Sequence, residues 1–379
     1  MADMIIEGVT NIAWDANGRM IVTHSDPPKP PATTDLVASL VDLRAALNDG
    51  AKDITIAGTI LVNSPVVVPR IAERVIRGTS NATIKSTGRD FRIMALGNGQ
   101  GGRLTINDLT IDGGWRTNPG ECTSDIAANF WLPSLDYLEM NGCSTMFSRR
   151  TGIFATNTGR LILRNCTGYA LPRDFIWSNG SWDVLVEGCR VTYCGDDGIS
   201  CHVQPGTTGD NRTVVIRNNE LRDTLGIKVL GGGKSVLIEG NRIIAPAFYG
   251  IRLGVDPTTG EGAGTQSNIT VRSNHIENVR ATSPCHPGQT QGVWLFMYAP
   301  DQDMANVVID GNTLVRNEWK AAAPASLQDV YPLWGALGAY SKTAFLPDAV
   351  LDLGSEATRY VCKNPGDIIG SNLMNGFSK

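Results

Sequence analysis

Residues Thr192 to Val203 read TYCGDDGISCHV, placing two adjacent carboxylates, Asp196 and Asp197, between small residues, with cysteines and a histidine on either side. Asp174, in the stretch RDFI, stands 23 residues before Asp197 at the same place ahead of an aliphatic residue. Carboxylates in register on adjacent strands repel each other, and partial burial raises one pKa so that a proton is kept near neutral pH. A shared proton suits general acid and base work. Clustered carboxylates with loop carbonyls also suit a hard cation, so calcium is the one cofactor left open. A third reading is that Asp196 and Asp197 only shape a polar turn, where Asp-Gly is common.

The elements that must hold these acids come from an internal repeat. The segments LTINDLTI from Leu104, LEMNGCST from Leu138, LILRNCTG from Leu161, VLVEGCRV from Val184, VVIRNNEL from Val214, VLIEGNRI from Val236, ITVRSNHI from Ile269 and VVIDGNTL from Val307 share one pattern. Aliphatic residues fill the first and third places, and a polar pair rich in Gly and Asn follows. Alternation with period two predicts strands with one buried face, each ending in a bend. The sixth place runs Leu109, Cys143, Cys166, Cys189, Asn219, Asn241, Asn274 and Asn312, so like residues stack on like. Steps of 34, 23, 23, 30, 22, 33 and 38 residues keep the strand constant while the loops vary, as in a solenoid. A second strand follows in most turns, as in GIFA at Gly152, FIWS at Phe175, GISC at Gly198, GIKV at Gly226, GIRL at Gly250 and GVWL at Gly292.

On these repeats the chain resembles the right-handed parallel β-helix proteins of the pectin-lyase-like superfamily, over about residues 51 to 317. The expected fold is all-β: a right-handed single-stranded parallel β-helix with an N-terminal capping helix, a short N-terminal arm and a non-repetitive C-terminal region. Stacked asparagines can hydrogen-bond one another and the freed backbone of the bend. The cysteines fill the same slot as compact apolar residues and are expected as free thiols, since no CxxC pair suggests zinc.

Three regions follow. Residues 1–33 hold a hairpin, with Asn17-Gly18 as its turn, and a proline-rich linker, DPPKPPATT from Asp26. Residues 34–317 hold a capping helix and the β-helix. The helix is predicted from Leu36, Leu40, Leu43 and Leu47 at helical spacing, with Thr34 or Asp35 as N-cap and Gly50 at the end. Residues 318–379 form a C-terminal cap or oligomerisation region. A helix of this kind before ITIAGTILVNSPVVV resembles the start of the β-helix in phage tailspikes and related polysaccharide-degrading proteins.

RDFI and GDDGI also stand where polygalacturonase-type glycoside hydrolases carry their acids. That resemblance implies Asp197 as general acid, with Asp174 and Asp196 positioning and activating water for an inverting displacement. The chain departs from the pattern at Pro172-Arg173 and at LGIKV, and the basic motif is reduced to Lys228 and Arg252; His202 lies nearby at a different place. The residue after each buried Ile or Val runs Phe154, Trp177, Ser200, Lys228, Arg252 and Trp294, which predicts one outward column. Aromatic rings for sugar faces and cations for carboxylates make it a groove for an acidic polysaccharide, with Trp177, His202, Lys228, Arg252 and Trp294 as substrate contacts. A subunit interface is the competing use of such a column.

The net charge of −4 comes without a long basic run, which disfavours nucleic acid as a partner. No apolar stretch approaches the ~20 residues needed to cross a bilayer, so membrane insertion is not expected. MADMIIEGVTNIAW lacks a basic start and a cleavage site and does not read as a secretory signal. Together these features predict a phage tailspike or tail-fibre-like virion protein, homotrimeric and assembled in the host cytoplasm, that binds and in one reading cleaves a bacterial surface polysaccharide. Residues 1–33 are its expected link to a phage tail or baseplate protein. The alternatives are a non-enzymatic structural or adhesive virion component and a free polysaccharide hydrolase or lyase.

Overall fold

Period-two alternation puts every second side chain of a strand on one face, and a chain that keeps turning the same way can bury all those faces against one another. The computed structural model describes residues 9–14, 20–24, 35–88, 91–115, 127–203, 212–247, 249–254, 266–279, 293–299, 304–315, 335–341, 358–360, 368–369 and 373–375. Two units are distinguished, Met1–Thr34 and Asp35–Lys379. In the first, Val9–Trp14 pairs antiparallel with Met20–His24, as the hairpin reading requires. Its Asn17-Gly18 turn and the proline-rich linker lie outside the described residues.

The second unit holds three parallel sheets of twelve, eleven and eleven strands among the described residues. One turn runs Arg160–Arg164 in the first sheet, Thr167–Leu171 in the second and Ile176–Asn179 in the third. The next repeats it with Asp183–Glu187, Arg190–Cys194 and Ile199–His202. Each turn therefore has three strands where the sequence pattern shows two. The additional strand is often only three residues long with one buried side chain, as in Glu220–Arg222, too short to alternate visibly. Past Asn317, where the sequence repeat stops, four further strands among the described residues pair with the ends of these sheets.

In-register pairing stacks like on like. Leu138, Leu161, Val184, Val214, Val236, Ile269 and Val307 form one buried column. Removing each such side chain from water is worth about 1.5–3 kcal/mol. The bend after the first sheet has the same backbone in every turn: Asp108, Gly142, Asn165, Gly188, Asn218, Gly240, Ser273 and Gly311 all lie at φ between 52 and 65°. The left-handed region is open to Gly and tolerated by Asn and Asp, which explains the composition of the polar pair. The next residue points inward. Asn219 donates through Nδ2 to Asn241 Oδ1, Asn241 to Asn274 and Asn274 to Asn312, each at 2.9 Å, and each Oδ1 also accepts a backbone N–H of the preceding turn. Cys143, Cys166 and Cys189 fill the same slot as buried free thiols.

The capping helix is Leu40–Asn48, and its N-cap is Ser39, whose side chain accepts the Asp42 backbone N–H at 3.1 Å. This corrects the expected cap at Thr34 or Asp35. Asp35–Val37 is instead a strand that pairs with the first full turn, and Leu36 is 68% exposed. The first leucine of the helical spacing thus belongs to a three-residue edge strand that buries Val37, and the helix buries Leu43, Ala46 and Leu47. Buried Arg74 donates to Leu47 O, Ala51 O and Pro69 O, placing a cation at the carbonyl end of the helix.

Candidate functional site

The acids sit at the corner between the second and third sheets. Ile176 pairs with Ile199, so Asp174 and Asp197, each two residues earlier, face each other as the 23-residue step predicts. One oxygen from each of Asp174, Asp196 and Asp197 lies within 4.8 Å of the others. The three are 8, 6 and 0% exposed, respectively. Leu225, Ala247 and Tyr249 make a small apolar cluster in the following turns, and the Leu225 amide donates to Asp196 O at 2.9 Å.

Two cations come to the acids. Arg173 Nη1 reaches Asp196 Oδ2 at 2.8 Å, and Lys228 Nζ reaches Asp197 Oδ2 at 2.7 Å. Arg173, which breaks the polygalacturonase pattern in the sequence, thus becomes the partner of the adjacent turn's carboxylate. Asp197 further accepts from Ser200 Oγ at 3.1 Å and from the Tyr249 hydroxyl. Burial, followed by the charge of Asp197, pushes the Tyr249 phenol well above its ordinary range, so it serves as a donor. Burial, then the charges of Asp196 and Asp197, push the Asp174 carboxyl well above the usual carboxylate range, against the opposing Lys228 ammonium. Arg173 and Lys228 pair with two of the three carboxylates, and burial favours the protonated form of the third, Asp174.

The neighbouring thiols have no such chemistry. Burial pushes Cys194 well above its ordinary range, reinforced by the three carboxylates, and pushes Cys201 up to about 11 despite nearby Arg212. A thiol held protonated in this way is a poor nucleophile and a poor ligand.

The expected outward column exists but differs along its length. Trp131, Phe154, Trp177, Ser200, Lys228 and Arg252 follow one another in register on the third sheet. Trp131 stacks flat on Phe154 at 3.8 Å, Phe154 meets Trp177 edge-on at 4.7 Å, and the Arg92 guanidinium lies 3.5 Å above the Trp131 ring. Ser200 is fully buried, and Lys228 turns in to Asp197 with its side chain only 13% exposed, so these two are parts of the acid cluster rather than free groove contacts. His202 is buried beside Trp177 and Ser200. Arg252 is half-buried.

Trp294 does not join the column. Leu295 pairs with Ile251 and Phe296 with Arg252, a register two residues from the one the sequence suggests. A shift of two preserves the inside-outside alternation, so the pattern alone cannot choose between them. The Trp294 side chain lies outside the described residues. Sequence reasoning also missed Trp131, Arg173 and Tyr249. Trp131 precedes Phe154 by the same 23 residues that separate Phe154 from Trp177, which is signal enough to have found it.

The chain belongs to the family described as right handed beta helix region, whose profile matches residues 97–328. Among solved structures it is similar in fold to the Dettilon tailspike protein, at 14% identity and a TM-score of 0.41, covering 73% of this chain and 58% of that one. The family 28 exopolygalacturonase of Yersinia enterocolitica is similar at 12% identity and a TM-score of 0.41, with 96 and 82% covered. The Agl-KA catalytic domain is similar at 12% identity and a TM-score of 0.39, with 93 and 71% covered. The chain thus spans under two thirds of the tailspike's length. No curated protein sequence matches it. Among the described residues, no helix is long and apolar enough to cross a membrane.

Proposed function

We propose that the chain cleaves glycosidic bonds of a bacterial surface polysaccharide at the Asp174, Asp196 and Asp197 corner. The observation that carries this reading is a buried three-carboxylate cluster in which Asp196 and Asp197 are each tied to a cation, while burial pushes the Asp174 carboxyl well above the usual range. Asp174 is the donor to the leaving oxygen in this scheme, because its carboxyl keeps the proton. Asp196, oriented by Arg173, accepts from water. Asp197 has both oxygens committed to Lys228, Ser200 and Tyr249 and serves as the anchor. The proton role implied for Asp197 by the polygalacturonase resemblance therefore moves to Asp174. The half-buried rings of Trp131 and Trp177 offer apolar faces to sugar rings beside it. Calcium stays outside this scheme, since Arg173 and Lys228 already occupy carboxylate oxygens that would ligate it.

The proposal extends to a homotrimeric phage virion protein that is borne on the tail or baseplate through residues 1–33 and assembled in the host cytoplasm. The separate strand-paired unit at the N-terminus supports an attachment role. A second reading, an adhesive component without chemistry, is favoured by one observation: the acids are 0 to 8% exposed, as in a purely structural polar clasp. Incubation with capsule and lipopolysaccharide preparations separates the two. New reducing ends without absorbance from unsaturated sugars support hydrolysis, absorbance indicates a lyase, and binding without either supports the adhesin. Light scattering at the mass of three chains supports the trimer, and a monomer overturns it.

A further inference from the structure

Beyond the acids, a buried line of side chains runs from the aromatic column to Asp197. Trp177 Nε1 lies 3.4 Å from His202 Nδ1, His202 Nε2 is hydrogen-bonded to Ser200 Oγ, and Ser200 Oγ lies 3.1 Å from Asp197 Oδ2. The directions of these bonds are fixed by chemistry. An indole N–H can only donate, so His202 Nδ1 must accept and carries no proton. The neutral ring then bears its proton on Nε2 and donates to Ser200. A hydroxyl has one hydrogen, and with its oxygen accepting from His202, Ser200 gives that hydrogen to Asp197.

We propose that His202 is a positioning residue: held by the Trp177 indole as the neutral Nε2–H tautomer, it commits the Ser200 proton to Asp197 and so fixes Asp197 as an acceptor within the cluster. This role rests on the cleavage reading for its consequence, but the bond directions do not. His202 is distinct from a substrate contact, because it is 2% exposed and spends its ring nitrogens on Trp177 and Ser200. It is also distinct from a Ser-His-Asp nucleophile, because the serine stands between the histidine and the acid and donates away from the ring.

The test is a proton–nitrogen correlation spectrum of the full chain labelled at its four histidines, with the His202 signals identified by their loss in His202→Gln. The expected result is a neutral Nε2–H ring at neutral pH and, in Trp177→Phe, a several-fold rise in the Nδ1–H form. A charged ring, an Nδ1–H ring, or a tautomer ratio unmoved in Trp177→Phe overturns the proposal. Where cleavage is measurable, His202→Gln retains kcat because its amide can accept from Trp177 and donate to Ser200, whereas His202→Leu lowers kcat with little change in KM. Equal rates for Gln and Leu also overturn it. A protein that cleaves nothing but shows the expected tautomer leaves the relay standing and removes the cleavage reading alone.

Discussion

The asparagine ladder and the acid cluster bury polar groups in the same solenoid by opposite means. The ladder, between the first and second sheets, repeats one bond pattern through Asn219, Asn241, Asn274 and Asn312, so each turn satisfies its neighbour. The cluster, between the second and third sheets, repeats only the Asp174 and Asp197 position: Arg173, Asp174, Asp196, Asp197, Lys228 and Tyr249 come from four successive turns and pair across them. Neutral groups that recur stabilise the scaffold. Charged groups that break the repeat carry a larger desolvation cost than the neutral amides of the ladder.

The sharpest way to break this comparison is Lys228→Met. Removing the cation leaves Asp197 buried without its ammonium, and a loss of about 3–5 kcal/mol in denaturant unfolding is expected. A loss near zero shows that Asp197 needs no counter-charge. Asn241→Leu comes next, since it strands the Asn219 side-chain and backbone N–H groups and the Ile216 carbonyl. Each stranded group costs about 1–3 kcal/mol. Cys166→Ala, one slot of the same stack without the amide, should cost only about 1 kcal/mol, so equal losses at the two sites contradict the ladder's role.

Asp174→Asn has a smaller effect of opposite sign. The folded state holds the Asp174 proton to higher pH than the unfolded chain, whose carboxyl ionises near about 3.9. Between the two values the native state binds more protons, so this residue's contribution favours folding at low pH and is lost as pH rises through the folded value. The asparagine variant should therefore gain stability relative to wild type as pH increases from about 4 towards neutral, read as a rising difference in thermal midpoint. A constant difference contradicts a retained proton. The smallest expected effect is that of calcium: its addition or chelation should leave the thermal midpoint in place, and a clear shift on chelation restores the metal reading of the three acids.

The fold was legible because a solenoid writes its geometry into spacing: the aliphatic alternation and the Cys-to-Asn stack are one column each in the structure. The middle strand was not legible, because a three-residue strand with one inward side chain leaves no period. The helix start was misplaced because Leu36 continues the leucine spacing while lying on an edge strand. At the site, the Asp174 and Asp197 pairing followed from the 23-residue step. The inward turn of Lys228, the reach of Tyr249 and the pairing of Arg173 did not, since each depends on which way a long side chain bends across turns. The Trp294 error has a third cause, a two-residue register choice to which alternation is blind.

The central claim is that the non-repeating corner does chemistry and that Asp174 holds its proton. It is tested most directly by comparing wild type with Asp174→Asn on a bacterial surface polysaccharide that the wild type shortens, counting reducing ends while recording thermal midpoints. The account predicts that the variant folds at least as stably near neutral pH and loses about 10²–10⁴-fold in cleavage rate. A variant that cleaves at the wild-type rate contradicts it.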